Sequence, residues 1–389
     1  MWAELHKTIV STLTCSGQRV LNYSANMVKE GKNMKYNRKL YVVTYCTYKS
    51  LGSVLQAYGL KTALKSLGCE STIISNKKEN LQVKKKPKSF KAIIIALFDF
   101  LIKKQIKIRY KKRMDFINSN MDIEYFEEYS DLEIYNKVED DIIFVAGSDQ
   151  IWNPVNCNPL FFLDFVTDHK CISYAASMGN TYIPDSKQDF YKNNLKHFDC
   201  ISVREKDVKE LLMEFTENNI SVNIDPVFLV DRTVWKSIER PYKGVKDRYI
   251  LLYMLYWDDS IKKKVKKLKA ETGLPVYAIS SGLSRTYADK HLYDVGVEEF
   301  LWLIDNADYV ITSSFHGVAL STIFNKKFAP IINPKLPSRI SSLLNTLSIP
   351  KVDSDKLNES KSFDYELINR KIKEEKDKGL RYLEMAIKV

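Results

Sequence analysis

The sequence predicts an α/β fold in two domains, each organised around a parallel β-sheet. Strand-like runs alternate with helical segments from residue 40 onward, and the alternation restarts after a polar stretch at 236–248. The chain of 389 residues is also longer than one ordinary domain. Apolar residues make up 45% and charged residues 28%, which is the balance of a globular protein with a sizeable core.

The first structural unit can be followed in order along the chain. Residues 40–45 form a β-rich run, and the apolar residues of the segment 60–67 are spaced for one face of a helix. Gly68 ends this helix, and residues 71–74 begin the next strand. A strand, a helix and a second strand in this order form a βαβ unit, which implies a parallel sheet.

The remaining strands and the domain limits follow from the same alternation. Further strands are predicted at 141–146, 171–175, 200–203, 222–224, 249–255, 275–279 and 308–312. The predicted units are an N-terminal domain at 34–235, a C-terminal domain at 236–362 and a closing helix at 363–389. Residues 1–33 have no long apolar core and are predicted to be a poorly ordered N-terminal extension.

Residues 76–120 interrupt the alternation and are predicted to be a basic helical insertion in the N-terminal domain. Their apolar run at 92–102 is flanked by lysines and arginines and is too short to span a bilayer, which needs roughly 20 residues. Two interpretations remain open. The insertion is either a helical hairpin with a solvated basic face or an amphipathic element that lies on an anionic membrane surface.

Charge and composition narrow the range of partners. Lys and Arg exceed Asp and Glu by 12, which favours anionic partners. Nucleic acid is not expected, because the basic stretch at 84–113 lacks aromatic residues interleaved for base stacking. The six cysteines and five histidines are scattered, so we expect neither disulfides nor a metal site, and no cofactor. The lack of a glycine-rich phosphate motif after the first strand argues against nucleotide hydrolysis and nicotinamide chemistry.

Unusual polar residues follow the predicted strands, at the edge where parallel sheets bind ligands. Asp149 lies in the segment 147–154 after one strand, and His316 lies in the segment 313–317 after another. Arg204 follows a third strand and precedes a helix. The sequence therefore predicts that distant stretches of chain deliver an imidazole, a carboxylate and a guanidinium group to one anion-binding cleft.

Each of these residues has a structural and a functional interpretation. His316 at a helix N-terminus is expected to be neutral when no ligand is bound, and it is either a capping residue or an acid and phosphate partner. Asp149 is either a turn carboxylate or a base for a sugar hydroxyl. Trp152 is either a core residue or a stacking face for a sugar ring. Arg204 and Arg339 are either surface ion-pair residues or fixed forks for a carboxylate or phosphate.

The order of the motifs resembles that of the polysaccharide pyruvyl transferase family. Gly-Ser-Asp-Gln-Ile-Trp-Asn-Pro at 147–154 is followed about 160 residues later by Ser-Phe-His-Gly at 314–317. Supporting matches lie at 52–58, 202–205, 224–226 and 299–308, so that the resemblance runs from about 40 to 345. It implies two Rossmann-like domains with parallel sheets facing a cleft, similar to the GT-B glycosyltransferases.

The resemblance also implies a reaction and a cellular setting. The donor would be phosphoenolpyruvate, and the acceptor would be a sugar of a cell-surface polysaccharide or of its lipid-linked precursor. The products would be a cyclic pyruvate ketal and phosphate, made during exopolysaccharide and cell-envelope biosynthesis. We expect a cytoplasmic protein, with peripheral contact to anionic lipid at the inner face of the plasma membrane as an open alternative.

Site residues carry over from the family by position. The resemblance implies catalysis by His316, and we predict Asp149 as the second catalytic residue. Acceptor contacts are predicted from Gly52, Gln56, Gln150, Trp152 and Asn153. The resemblance implies donor contacts from Arg204, Arg339, Lys335, Ser314 and Gly317. Several family members have an arginine two residues before the histidine, where this chain has Ser314. Either another cation substitutes for that arginine, or this chain handles its donor differently.

Two rival functions fit the same scaffold. A GT-B-type glycosyltransferase would use a nucleotide sugar as its donor. A non-catalytic polysaccharide-binding relative would bind the acceptor without releasing phosphate. Ligand protection separates the rivals, because a nucleotide sugar stabilises the first and phosphoenolpyruvate stabilises the predicted pyruvyl transferase.

Overall fold

The computed structural model of the protein describes residues 38–46, 50–77, 100, 102–138, 141–256, 259–280, 287–333, 338–353, 357–358 and 363–388. The predicted extension at 1–33, the donor residue Lys335 and most of the apolar run at 92–102 lie outside these residues.

The first sheet has five parallel strands in the order β3-β2-β1-β4-β5. These strands are β1 (Lys39–Val43), β2 (Ser71–Asn76), β3 (Ile123–Phe126), β4 (Ile142–Ala146) and β5 (Lys170–Ser173). A parallel pair, β6 (Ile201–Val203) and β7 (Ile220–Val222), continues beside β5 through isolated bridges such as Ala176 to Val203. The helices are α1 (Leu51–Ser66), α2 (Lys103–Asn120), α3 (Asp185–Leu195) and α4 (Lys206–Leu212).

The second sheet repeats this order as β10-β9-β8-β11-β12, again with parallel strands. Its strands are β8 (Ile250–Tyr253), β9 (Val276–Ile279), β10 (Lys290–Leu292), β11 (Tyr309–Thr312) and β12 (Lys327–Pro330). The helices after β7 are α5 (Arg232–Ser237), α6 (Asp259–Thr272), α7 (Val297–Asp305), α8 (Phe315–Ile323), α9 (Ser338–Thr346) and α10 (Tyr365–Lys388). The predicted α/β fold with two parallel Rossmann-like sheets is therefore confirmed.

The strand order places the site, because the chain changes direction between the central strands of each sheet. In the first sheet that point lies between β1 and β4, and in the second it lies between β8 and β11. Ligands of such sheets bind beyond the carboxyl ends of the strands at this point. The loops after β4 and β11 carry Asp149 and His316, so the two residues hold equivalent positions in the two sheets.

The last helix joins the two sheets. The chain leaves the second sheet after β12, and α10 then packs against the first domain, where the hydroxyl of Tyr382 donates a hydrogen bond to the Ser173 carbonyl at 2.9 Å. Gly379 of α10 leaves room for Tyr174, since an added Cβ would lie 2.4 Å from the Tyr174 hydroxyl oxygen. One continuous cluster of buried apolar residues runs through both domains.

The structure corrects the prediction of an insertion at 76–120. The helix α2 is the crossover between β2 and β3, and it therefore belongs to the first sheet unit. Its periodicity was obscured because only Arg113, Phe116 and Ile117 are buried along it. The edge strand β3 was missed because two of its four residues are exposed.

Short strands account for the other differences from the sequence-based prediction. The strands β10 and β12 were missed, since only one residue of β10 and two of β12 are buried, which leaves no apolar run in the sequence. The strand expected at 222–224 lies at Ile220–Val222, and the one expected at 171–175 ends at Ser173. The predicted boundary at 236–248 falls between the last strand of the first part and the first strand of the second. None of the helices in the described ranges has the length and apolarity needed to cross a membrane.

Substitution of Gly379 by leucine should weaken the attachment of α10. The larger side chain would collide with Tyr174 and Leu229, and overpacking of this kind typically lowers the free energy of unfolding by about 1–3 kcal/mol. Urea unfolding of the full chain measures this loss. Lys373→Leu, at an exposed position of the same helix, should unfold within about 0.5 kcal/mol of the wild type. Equal stability of both variants would contradict the packing described for α10.

Candidate active site

Asp149 is held in place by its backbone and by the first turn of α1. Its φ of 72° lies in the left-handed region, which Asp tolerates better than most residues. The Ser53 hydroxyl donates a hydrogen bond to Oδ2 at 2.5 Å, and the Gln150 amide donates one to Oδ1 at 2.8 Å. Burial acts to raise the pKa of this carboxyl, but Arg339, His316 and Arg204 outweigh it and lower the pKa. Asp149 is therefore ionised at neutral pH.

Arg204 forms a buried fork immediately after β6. Its Nη1 donates to Asp225 Oδ2 at 2.6 Å, and its Nε donates to Glu205 Oε1 at 3.1 Å. Burial acts to lower the pKa of Arg204, whereas the carboxylates of Glu205, Asp225 and Asp149 raise it above its usual value. The remaining nitrogen, Nη2, is buried and has no hydrogen-bond partner among the described residues. This nitrogen is free to bind an anion.

His316 lies in the first turn of α8, whose N-cap is Ser314. Its Nε2 lies 3.7 Å from Asp225 Oδ2, which is too long for a hydrogen bond, and the atom has no other partner in the described part of the chain. Burial is the main cause of a lowered pKa, with Arg204 acting in the same direction, and both outweigh the carboxylates nearby. The imidazole is thus neutral at pH 7, as the sequence predicted.

Gly52 allows the first domain to reach this imidazole. A Cβ at position 52 would lie 2.2 Å from His316 Nδ1, far inside van der Waals contact. Only glycine therefore lets the N-terminal turn of α1 rest against the ring. The contact joins the loop after β1 to the loop after β11.

Arg339 approaches from α9 and shares one aromatic ring with Arg204. The Arg339 guanidinium carbon lies 5.4 Å from the centre of the Phe315 ring, and that of Arg204 lies at 4.2 Å. Burial and the nearby charge of Arg204 lower the pKa of Arg339 to about 10, so the group remains charged at neutral pH. Its Nε is buried without a hydrogen-bond partner among the described residues. Two cations thus meet beside Phe315.

A cavity of about 330 Å³ opens beside these guanidinium groups, between α4, α9 and α10. Its lining includes Arg204, Asp225, Phe315 and Arg339. In total, five basic and three acidic side chains line the cavity, so it attracts anions. The arrangement can bind a small anion beside Phe315. His316 does not line the cavity itself, but its ring lies 5.3 Å from the Phe315 ring, centre to centre.

The structure decides between the two interpretations of Trp152. The ring is fully buried and stacks on Phe162 with a centroid distance of 5.3 Å, and its Nε1 donates to the Phe161 carbonyl. Trp152 is a core residue, and the sugar-stacking role expected for it is corrected. Trp152 lies in a turn beyond the strand, where the two-residue alternation of a strand no longer applies, so sequence spacing alone did not show which way this ring points.

Other predicted binding residues mainly hold the loops in position. Gln56 is fully buried and donates from Nε2 to the oxygens of three residues, so its side chain ties α1 to the loop after β1 rather than facing a ligand. Ser314 accepts a hydrogen bond from the Gly317 amide. Gln150 and Asn153 are half-buried near the loop surface and stay predictions for acceptor contact.

Two acidic residues of the site had no role assigned from sequence. Asp225 is fully buried and follows β7. Its carboxylate forms an ion pair with Arg204 and also lies 3.7 Å from His316 Nε2. Glu205 follows Arg204 and accepts a hydrogen bond from the Ser177 hydroxyl at 2.7 Å. Both follow strands at the ligand-binding edge of the sheet, and this position is the signal that could have identified them.

The lowered pKa of His316 predicts a loss of stability in mild acid. As the pH falls below the ordinary value of 6.5, the unfolded chain binds a proton that the buried imidazole resists. The free energy of unfolding should therefore decrease toward pH 5, by up to about 1.4 kcal/mol per pH unit from this group. His316→Gln should flatten that decrease in urea titrations, whereas His197→Gln, at an exposed position, should keep it. Parallel pH profiles in the two variants would contradict this assignment.

Solved structures with a similar chain path include sugar-processing enzymes. A UDP-GlcNAc 2-epimerase from Methanocaldococcus jannaschii is 11% identical with a TM-score of 0.47, and the alignment covers 86% of this chain and 91% of the epimerase chain. A putative UDP-N-acetylglucosamine 2-epimerase from Listeria monocytogenes is 11% identical with a TM-score of 0.48, at coverages of 89% and 91%. A heptosyltransferase from E. coli, solved with ADP, is 11% identical with a TM-score of 0.37, at coverages of 87% and 99%.

Sequence comparison identifies the family. No curated protein matches the chain significantly. A family model for polysaccharide pyruvyl transferases matches residues 51–334, which is most of the chain and includes Gly52, Asp149, Arg204 and His316. The protein therefore belongs to the polysaccharide pyruvyl transferase family of transferase enzymes.

Proposed function

We propose that the protein transfers a pyruvyl group from phosphoenolpyruvate to a sugar of a cell-surface polysaccharide or of its lipid-linked precursor. The products are a pyruvate ketal and phosphate. One observation carries the proposal: Arg204 Nη2, Arg339 Nε and His316 Nε2 are buried nitrogens without hydrogen-bond partners among the described residues, and they lie around the same Phe315 ring. A buried donor left without a partner costs about 1–3 kcal/mol, so a bound anion is the natural partner for the two guanidinium groups.

Phosphoenolpyruvate fits the number and kind of these groups. It has a carboxylate and a phosphate, and planar guanidinium groups bind both types of anion well. The cavity of about 330 Å³ lies at the small end of the range for ligand pockets, which is about 300–1,000 Å³. This size favours a compact donor over a nucleotide sugar. In this assignment Arg339 supplies the cation that Ser314 lacks.

Binding of phosphoenolpyruvate also prepares His316 to donate a proton. The free imidazole of His316 is neutral, because burial lowers its pKa. A phosphate dianion next to it would raise that pKa and draw a proton onto the ring. The protonated His316 then transfers this proton to the methylene carbon of the donor, which becomes the methyl group of the ketal.

The remaining steps balance without a further reactant. Protonation leaves a carbon with oxocarbenium character, and one sugar hydroxyl adds to it while the Asp149 carboxylate accepts the proton of that hydroxyl. A weak base is sufficient, since attack on a cationic carbon makes the hydroxyl acidic. The phosphate then leaves, and the second hydroxyl adds to the same carbon and closes the ketal. The proton that Asp149 accepted passes to His316 and restores its protonated form, and the proton of the second hydroxyl leaves with phosphate. Arg204 and Arg339 stabilise the leaving phosphate.

Thermal stability with different ligands tests the donor. Phosphoenolpyruvate at 100 times its dissociation constant should stabilise the fold by about 2.7 kcal/mol, and nucleotide sugars at the same concentration should not. Stabilisation by a nucleotide sugar alone would overturn the proposal in favour of a glycosyltransferase. Binding of saccharide without release of phosphate would identify a non-catalytic binding protein.

Two variants should separate donor binding from chemistry. Arg339→Met keeps a long side chain against Phe315 but removes the cation, and it should weaken phosphoenolpyruvate binding by about 10- to 150-fold, the equivalent of one charged hydrogen bond. His316→Gln should retain binding within a few-fold while the rate of phosphate release falls by about 10²–10⁴. Calorimetric titration measures the binding, and phosphate release with cell-envelope saccharide as acceptor measures the chemistry.

Arg240→Met is the matched control for this pair. Arg240 is exposed and pairs with Glu298 on the surface of the second domain. Its loss should leave both binding and turnover unchanged. Wild-type affinity in Arg339→Met would remove Arg339 from the donor site.

A further inference from the structure

The helix α2 has one face turned into the protein and one turned outward. Its outer face carries Lys103, Lys104, Lys107, Tyr110 and Lys111, all of which are exposed. At 100° per residue these five positions fall within an arc of about 120°. Together with Tyr125 on the neighbouring edge strand β3, they form a single surface, which we call the lysine–tyrosine face.

The cations on the inner side of α2 are more fully engaged than the lysines of this face. Lys112 binds Glu299 at 2.8 Å, and Arg109 donates to the Leu292 carbonyl at 3.1 Å, so these two side chains contact the second domain. On the outer face Lys111 pairs with Asp115. Lys103, Lys104 and Lys107 make no ion pair within the described part of the chain. The face therefore presents a concentrated positive charge to solvent.

Aromatic side chains accompany this charge. Tyr110 is 43% exposed and Tyr125 is 41% exposed, and the two phenols lie close enough to interact electrostatically. Phe100, just before the helix, is 68% exposed. Exposed aromatic rings next to lysines are typical of surfaces that rest in the headgroup region of a bilayer. Base stacking along a nucleic acid is the less suitable use, because the rings flank the lysines instead of alternating with them.

The face lies at the edge of the molecule where the cleft opens. The helix α2 runs antiparallel to the strands it connects, so its lysine-bearing first half lies at the carboxyl edge of the first sheet. Arg109 reaches the carbonyl of Ser280, the residue that follows β9, at the carboxyl edge of the second sheet. Asp149 and His316 follow strands at these same two edges. A bilayer that contacts the lysine–tyrosine face would therefore hold its lipid molecules next to the candidate active site.

We propose that the lysine–tyrosine face docks on an anionic lipid bilayer and so positions the cleft toward a saccharide carried on a lipid. The docking itself is independent of the reaction, whereas the identity of the acceptor rests on the proposed function. Anionic headgroups neutralise the lysines, and the tyrosines enter the interfacial layer. The acceptor class is then a lipid-linked saccharide, not a released polymer.

Vesicle flotation with the full chain tests the docking. The protein should float with vesicles of phosphatidylcholine and phosphatidylglycerol at low salt, not with phosphatidylcholine alone, and high salt should release it. Each lysine near an anionic surface contributes about fivefold to binding. Lys103→Glu combined with Lys107→Glu should therefore weaken partition by at least about 25-fold. No flotation of the wild type, or flotation equal in the variant, would overturn the proposal.

The control variant carries the same change of charge at the opposite edge of the sheet. Lys192→Glu with Lys196→Glu alters two exposed lysines, also four residues apart, at the end of α3. This control variant should float like the wild type. If both double variants lost flotation equally, net charge alone would explain the binding, and docking through the lysine–tyrosine face would be overturned. Preferential binding of single-stranded RNA over anionic vesicles, lost in the same α2 variant, would likewise overturn lipid docking.

Stabilisation by phosphoenolpyruvate separates this proposal from the proposed reaction. The α2 double variant should keep the full thermal shift with phosphoenolpyruvate, because no residue of α2 lines the proposed donor cavity. Flotation without any such shift in the wild type would leave docking in place and remove the reaction. A thermal shift with phosphoenolpyruvate but no flotation would support donor binding and overturn the docking.

Discussion

The buried ion pair between Arg204 and Asp225 is the interaction on which the site depends. Both side chains are withdrawn from water, and the Nη1 to Oδ2 distance of 2.6 Å together with a second bond to Glu205 offsets their loss of hydration. Asp225 also lies near His316 of the other domain. The pair fixes the orientation of the guanidinium group and leaves Nη2 without a hydrogen-bond partner among the described residues, which is why we propose that it binds an anion.

Such a site exists only while the two sheets keep their relative position. Gly52 from the first domain touches the imidazole delivered by the second, and Arg339 reaches the same region from α9. The helix α10 and the inner face of α2 attach the two domains to each other at separate places. Catalytic and donor-binding groups therefore depend on contacts far from the chemistry, as is usual for sites built between domains.

The charges around His316 would couple binding of the proposed donor to the protonation of the imidazole. Around Phe315 the cluster contains Asp149, Glu205 and Asp225 against two guanidinium groups, with His316 neutral. An added phosphate makes this region more negative, and the nearest group able to take up a proton is the imidazole. In the proposed reaction, donor binding would therefore convert His316 from a neutral ring to an acid.

The sequence by itself determined the α/β class, the first βαβ unit and the loops that carry Asp149, Arg204 and His316, because those features depend on local periodicity and on where strands end. Only the tertiary structure decided that α2 connects two strands of one sheet, that Trp152 turns into the core and that Arg339 meets Arg204 at Phe315. The pairing of Arg204 with Asp225 also joins residues 21 positions apart on neighbouring strands. Contacts of this kind follow from strand order and helix packing, which set distances between segments that carry no local signal of each other.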